Sequence, residues 1–239
     1  MPDRHSDFYW ENMVVQVEDT LFHVPRHGFA QSEAFRDMFR LPAPKNGKGV
    51  EGQSDDHPIV LEGYKVKDFE SFLKLLYPSM ESGISGLAMT KEEWVGALKL
   101  ATIWQMDKAR GYAITKLMSM KDIRPAEAVN LAREYRISNW LLPALIDLAI
   151  NRHELEDDGI EALVGLKTAF ILRGIYLRAN GGRPRTCAMV QEQFKEELIE
   201  IGAIEKDAAA AVNLPLPRAN RYKRSRHVYA YSSSDDDLN

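Results

Sequence analysis

The chain repeats itself. "LKLATIWQMDKARGYAI", residues 98–114, aligns with "VNLAREYRISNWLLPAL", residues 129–145, at an offset of 31 residues. Paired positions keep their character: Leu100 with Leu131, Ala101 with Ala132, Trp104 with Tyr135, Met106 with Ile137, Ala113 with Ala144 and Ile114 with Leu145. A helix–turn–helix unit used twice fits this pattern. The small Ala lets paired helices approach, and the aromatic closes the end of the first helix. Asp107 and Ser138 then follow as residues suited to capping the next helix. Thr90 with Glu93 predicts a capping box for the first unit, and Pro125 suits the first turn of the second.

Upstream the period is different. "NMVVQVEDTLFHV", residues 12–24, alternates around a polar turn at residues 18–20, with Val15 and Val17 on one face and Phe22 and Val24 on the next strand. That pattern predicts a β-hairpin. From Arg26 the period lengthens. Phe29, Ala30, Phe35, Met38 and Phe39 fit an amphipathic helix with an irregular start, and Ser32 begins its better-formed part. Residues 42–57, "PAPKNGKGVEGQSDDH", are rich in Pro, Gly and charge and exceed the usual loop length, so the segment is either functional or mobile. "PIVLEG" reads as a short strand closed by Gly63. "VKDFESFLKLLYP" sets Val66, Phe69, Phe72, Leu73, Leu76 and Tyr77 on one helical face, ended by Pro78, with Leu76 against the hairpin.

Beyond the repeat, Leu163, Leu166, Phe170, Ile171 and Leu177 recur at helical spacing, and "CAMVQEQFKEELIEIG" reads as one amphipathic helix ending at Gly202. After the alanines at 208–211 the chain changes character. Arg218, Arg221, Lys223, Arg224 and Arg226 occur without an intervening acid, and serines and three aspartates follow. This tail has too little apolar content for a core and reads as disordered.

Composition narrows the function classes. A hydrophobic fraction of 45% and a charged fraction of 28% over 239 residues suit a soluble globular protein. The net charge of -4 gives no global pull toward nucleic acid or anionic membrane. Cys187 is the only cysteine, which excludes an internal disulfide and a cysteine-rich metal site and fits a reducing compartment. The opening "MPDRHSDFYWEN" lacks a signal-peptide apolar stretch, and no apolar run approaches the roughly 20 residues of a membrane helix. The expectation is a soluble intracellular protein, cytoplasmic, nuclear or both.

The ordering of these pieces resembles the BTB/POZ domain. A hairpin is followed by Phe22, Val24, Pro25, Arg26, Phe29, Ala30, Ser32 and Phe35, then a strand, an apolar helix ending "LLYP" and a helical hairpin. The resemblance runs from about Phe8 to Ser119, and the later helices look like the BACK or "box" helices that often follow such a fold. It is similar above all to stand-alone fungal BTB proteins, in the "YW…VQVEDTLFHV" opening and the "LAREYRISNWLLPAL" segment. It implies an α+β fold: a small three-stranded sheet covered by helical hairpins at residues 8–119, an all-α extension at 120–212 and a basic-then-acidic tail at 213–239. Pro25 stands where the family commonly has histidine, Gly28 where it has a larger apolar residue, and Asn12 where many members keep an aspartate that pairs with a base like Arg26. The N-terminal helix that some members exchange between subunits has no counterpart in the residues before the hairpin.

His23 and His27 have the i, i+4 spacing of a shared metal ligand pair, but Pro25 between them breaks the helix such a pair needs. Asp55, Asp56 and His57 form a polar cluster inside a Gly-rich loop. Cys187 follows Arg183 and Arg185, which favour a thiolate, yet a lone cysteine is chiefly a small helical residue. Neither a nucleophile elbow nor a phosphate loop occurs. Trp94, Trp104, Tyr135 and Trp140 share the repeat spacing and read as packing between helices rather than ligand stacking. The expectation is no enzyme, no catalytic, cofactor or metal site, and no cofactor.

Arg221, Lys223, Arg224 and Arg226 read as a candidate import or anion-binding run, ahead of an inert tail and of specific nucleic-acid recognition. Ser232, Ser233 and Ser234 each have an aspartate three residues on, so they are candidate phosphorylation sites whose added charge would weaken the basic run. The resemblance implies protein partners: a homodimer, and a cullin scaffold that the chain joins to a ubiquitin-ligase client. A nuclear scaffold for transcription or chromatin proteins is the alternative. In the cullin reading, contact falls to residues 42–57 and, mainly, to the helices at 125–148.

Overall fold

The computed structural model describes residues 2–6, 8–40, 50–78, 87–179 and 182–212, with residues 206–212 described by backbone alone. The expected hairpin pairs β1 (Asn12–Val17) antiparallel with β2 (Thr20–Pro25), Val17 opposite Thr20. Glu18 makes the tight turn with a left-handed backbone, φ 50°. β3 (Ile59–Leu61) lies parallel on the other side of β1, Val15 opposite Ile59, giving the order β2-β1-β3. Met13, Val15, Val17 and Val24 bury one face of this sheet.

The irregular start after β2 is a 3-10 helix, Arg26–Gln31, followed by α1 (Glu33–Arg40). Three residues per turn replace 3.6 there, so Phe29 is buried while Ala30 turns out to solvent, against its expected inward placement. Ser32 separates the two helices with an extended backbone, φ -81° and ψ 132°. Its buried hydroxyl has no hydrogen-bond partner, and it starts α1 through its carbonyl, which accepts from Arg36 N–H at 3.0 Å.

α2 (Val66–Leu76) buries Phe69 and Phe72 completely, while Leu73, Leu76 and Tyr77 are only half-buried. Its start is capped from a distance. The Glu18 carboxylate in the hairpin turn accepts from Val66 N–H at 3.0 Å and from Lys65 Nζ at 2.8 Å.

The repeat forms two helix pairs, α3 (Lys91–Ile103) with α4 (Asp107–Ser119) and α5 (Pro125–Glu134) with α6 (Ser138–Ile150). Thr90 and Glu93 make the expected capping box, and Pro125 is the first helical residue of α5. Asp107 and Ser138 do not cap their helices with their side chains; each is already inside the first turn. Instead the N–H and hydroxyl of Ser138 both donate to the Glu205 carboxylate. Trp94, Trp104, Tyr135 and Trp140 are all buried, as packing residues would be, whereas Tyr112 on α4 is exposed.

α3 serves two cores. Leu100, Ala101 and Trp104 join the core beneath the sheet and α2, where Trp104 meets Phe35 and Phe72 edge-on at 5.2 and 5.0 Å between ring centres. Trp94 and Leu98 join a second core that runs through α4, α5 and α6 to the C-terminal helices. Those are α7 (Arg152–Leu155), α8 (Ile160–Val164), α9 (Leu166–Ala179), α10 (Arg183–Gln193) and α11 (Lys195–Val212). The single helix expected to end at Gly202 is therefore two, divided at the buried Phe194, and Gly202 lies inside α11.

Arg133 of α5 ties this half together. Its guanidinium grips Glu197 of α11 with two hydrogen bonds, 2.6 and 3.0 Å, and also donates to the Val164 carbonyl at 2.7 Å and Thr168 Oγ1 at 3.0 Å.

Candidate interaction surface

Among the described residues, three exposed aromatics in a row, Phe8, Tyr9 and Trp10, come just before Glu11, the ion-pair partner of Arg26. Pro25 keeps φ at -64° with ψ 135°, so the chain leaves β2 extended and turns sharply at Arg26. Arg26 N–H then donates to the Glu11 carbonyl at 2.8 Å, and its guanidinium meets the Glu11 carboxylate at 2.8 Å. The same guanidinium lies over the Phe39 ring, 4.2 Å from its centre. Asn12 offers no carboxylate, and Glu11, one residue earlier, supplies one to Arg26.

Arg26 stacked on Phe39 forms a wall between two clefts. One, about 290 Å³, is bounded by Asn12, Met38, Val50, Gln53 and Ile59. The other, about 500 Å³, is bounded by Ser6, Tyr9, Trp10 and His27. At the rim Phe8, Tyr9 and Trp10 are 74%, 55% and 57% exposed. They are held in place by ring and cation contacts: Arg4 lies 4.6 Å from the Tyr9 ring centre, His5 lies 5.0 Å from Phe8, and Trp10 lies 5.3 Å from His27.

His27 stands edge-on to Tyr77 at 5.6 Å, and the Tyr77 hydroxyl donates to the Pro25 carbonyl. Burial pushes the Tyr77 phenol up to about 12, against the smaller opposing effect of a backbone hydrogen bond at Gly28, so it remains a neutral donor through the physiological range. Gly28 is where the phenol needs room, since a Cβ there would lie 2.3 Å from Tyr77 Oη. A larger residue at this position and Tyr77 exclude one another.

The structure separates the other candidate residues. His23 is exposed on β2 and His27 on the 3-10 helix, where it serves as a stacking ring. Asp55, Asp56 and His57 are exposed on a turn closed by a bridge between Ser54 and His57. That turn is not loose, because Gly52 accepts from Val14 N–H at 2.8 Å and donates to the His57 carbonyl at 2.6 Å. Residues 50–57 of the Pro-, Gly- and charge-rich segment are thus docked on β1, and residues 42–49 lie outside the described residues. Cys187 is half-buried on α10.

The basic run with Arg221, Lys223, Arg224 and Arg226, and Ser232, Ser233 and Ser234, also lie outside the described residues. Among the described residues no group of three or more His, Cys, Asp or Glu side chains could hold a metal ion, and no helix is long and apolar enough to cross a membrane.

A smaller cleft, about 240 Å³, opens between α4 and α6 at the start of α5, with Met118, Met120, Ile123 and Pro143 on its walls. Pro125, Ala128, Trp140 and Pro143 on its wall belong to the helices expected to carry a cullin contact, whereas Met118, Met120 and Ile123 precede them.

Compared with known proteins, the chain matches no family model and no curated protein. The aromatic rim and the role of Glu11 have no periodic signature in the sequence. The run "FYW" at residues 8–10 was the available signal, three large aromatics in a row outside any helical or strand period.

Proposed function

We propose that this chain is a non-enzymatic protein–protein interaction module of the BTB/POZ kind, an adaptor or scaffold that self-associates and links clients to a cullin-type ubiquitin ligase. One observation carries the reading. Two clefts adjoin at the stacked Arg26, the larger lined by the exposed Tyr9 and Trp10 with the exposed Phe8 next to them in the chain, and aromatic and arginine side chains are the usual energetic anchors of protein interfaces. The β2-β1-β3 sheet beneath helical hairpins supports the BTB-like layout, and the methionine-lined cleft beside α5 supports a second contact on the helix pair.

The intact chain tests both halves. Sedimentation should show self-association in the micromolar range, weakened at least about tenfold by Trp10→Ala and Phe8→Ala. Calorimetry against a cullin N-terminal region should give micromolar binding, weakened by Met118→Asp. A monomer at all concentrations would remove the self-association. No cullin binding at tens of micromolar would remove the ligase role and favour the nuclear scaffold.

A further inference from the structure

α9 wears its apolar residues on both sides. Its inner face buries Thr168, Ala169, Leu172, Ile175 and Ala179. On the outer face Leu166, Phe170 and Leu177 are 67%, 77% and 77% exposed. At 3.6 residues per turn these three fall within an arc of about 40° and form a ridge roughly 16 Å long. Phe170 and Leu177 are the most exposed large apolar side chains among the described residues. A ridge of this kind on a helix already anchored from behind points to a partner.

Charge identifies the chemistry of that partner. α9 contains no Asp or Glu, and its cations flank the ridge. On one flank Arg173 is already satisfied, by Glu161 at 2.6 Å and the Leu155 carbonyl at 2.8 Å. On the other, Lys167 and Arg178 stand on the same edge of the helix, about 16 Å apart along it, with no acidic partner among the described residues, Arg178 donating only to the Gly174 carbonyl within its own helix. The apolar ridge is therefore bordered by unneutralised positive charge along one edge. We propose that this face docks an acidic amphipathic helix of a partner protein, its apolar seam on Leu166, Phe170 and Leu177 and its carboxylates along Lys167 and Arg178.

The alternatives fit less well. A second copy would set one cationic, acid-free face against another, and like charges across an interface oppose docking. An anionic bilayer would attract the same cations, but Glu161 on α8 and Glu156, Asp157 and Asp158 in the segment joining α7 to α8, both of which pack beside α9, would be carried to the lipid surface with it. A helical partner engages α9 alone and leaves that acidic segment in water. The inference goes beyond the proposed adaptor role, and it does not depend on the aromatic surface around Arg26.

The test uses the intact chain and a fluorescein-labelled amphipathic peptide with leucines at i, i+4, i+7 and i+11 and glutamates along one flank, beside a counterpart carrying lysines instead. The glutamate peptide should bind in the micromolar range and the lysine peptide at least about tenfold more weakly. Phe170→Asp, at an exposed position, should abolish binding without moving the melting temperature. The double variant Lys167→Glu with Arg178→Glu should reverse the preference between the two peptides. Equal binding of both peptides, or binding that survives Phe170→Asp, would overturn the proposal. So would a Phe170→Asp effect confined to dimerisation or to phosphatidylserine vesicles, which would assign the ridge to one of the other occupants.

Discussion

Gln105 and Arg136 occupy matching positions in the two helix pairs, and both hold a left-handed backbone at φ 52°. The next residue of each closes the helix behind it, Met106 N–H reaching the Ala101 carbonyl at 2.9 Å and Ile137 N–H the Ala132 carbonyl at 2.8 Å. This is the Schellman closure, in which glycine is the usual left-handed residue. A side chain in that conformation costs roughly 1–2 kcal/mol, part of which glycine would return as chain entropy in the unfolded state. Gln105→Gly and Arg136→Gly should therefore each raise stability by about 0.5–1 kcal/mol, read from urea denaturation midpoints. Gln105→Val should lower it. A loss on either glycine substitution would mean that side-chain contacts, and not the backbone, decide these turns.

The repeat was legible because both copies put the same residue types at the same packing positions, and burial of Ala101, Ala132, Trp104 and Tyr135 follows from that. The hairpin was legible because Val15 and Val17 on β1 and Phe22 and Val24 on β2 alternate toward one core, although Val14 on the other face of β1 is buried as well. What remained hidden is tertiary. Glu18 caps α2 across 48 residues and Glu205 caps α6 across 67, and no local pattern announces a carboxylate brought from that far. Phe194 divides two helices without a Gly or Pro at the break, whereas Gly202, a plausible stop, continues one. The spacing of Leu163, Leu166, Phe170, Ile171 and Leu177 marked helix, but Gly165 at φ 86° puts Leu163 on α8 and the rest on α9, and the spacing left the direction of α9 open because that helix has a second apolar face. At the interaction surface, Arg26 and Phe39 lay within readable elements, while Glu11 and the aromatics before it belong to no periodic segment.

Arg133 should be the costliest single charge to remove. It is partly shielded, with its side chain 24% exposed and that of Glu197 30% exposed, and it satisfies a carbonyl, a buried hydroxyl and a carboxylate together. Arg133→Ala would strand all three and should cost about 2–4 kcal/mol. Arg133→Lys keeps the charge but cannot reproduce the two-pronged geometry, so it should recover only part of that loss. Full rescue by lysine in thermal denaturation would show that charge alone matters.

The Glu18 cap sets a pH dependence. The hydrogen bond from Lys65 and then that from Val66 N–H hold the Glu18 carboxyl below its ordinary value, and Glu18 in turn holds the Lys65 ammonium above its own. A depressed carboxyl contributes stability that is present above its unfolded pKa, about 4.3, and is lost as pH falls through the folded value. The raised ammonium contributes below about 10.4 and loses its contribution as pH rises through its folded value. Glu18→Gln should therefore melt earlier than the parent chain at neutral pH, and the two curves should converge as the pH drops below about 4. A constant gap across that range would mean that the carboxylate charge plays no part in the cap.

Gly28 and Tyr77 should behave as one unit. With a Cβ placed 2.3 Å from the phenol oxygen, Gly28→Ala must displace Tyr77 and with it the hydrogen bond to the Pro25 carbonyl. Overpacking of this kind costs about 1–3 kcal/mol. Tyr77→Leu removes the obstructing ring, so adding Gly28→Ala to it should cost much less than Gly28→Ala does alone. Strict additivity in that cycle would place the constraint on Gly28 elsewhere than the phenol.

The sheet and its covering helices should not fold on their own when the chain is cut after Ser119. Trp94, Leu98, Ile114 and Leu117 on α3 and α4 are buried against α5, α6 and the helices beyond, within one core that continues across residues 119 and 120. The ion pair of Lys91 with Glu127, at 3.1 Å, crosses the same line. Burying a side chain of that size contributes about 1.5–3 kcal/mol, so re-exposing four of them approaches the whole stability of an ordinary domain, about 5–15 kcal/mol. The 1–119 fragment should therefore bind a hydrophobic dye, lose its cooperative melt and aggregate at concentrations where the full chain is clear. Replacing Trp94 and Leu98 with polar residues should improve its solubility, because both lie on the face that α5 and α6 would have covered. A 1–119 fragment that melts cooperatively at the temperature of the full chain would show that the sheet and its covering helices are self-sufficient and that the second core is an addition to them.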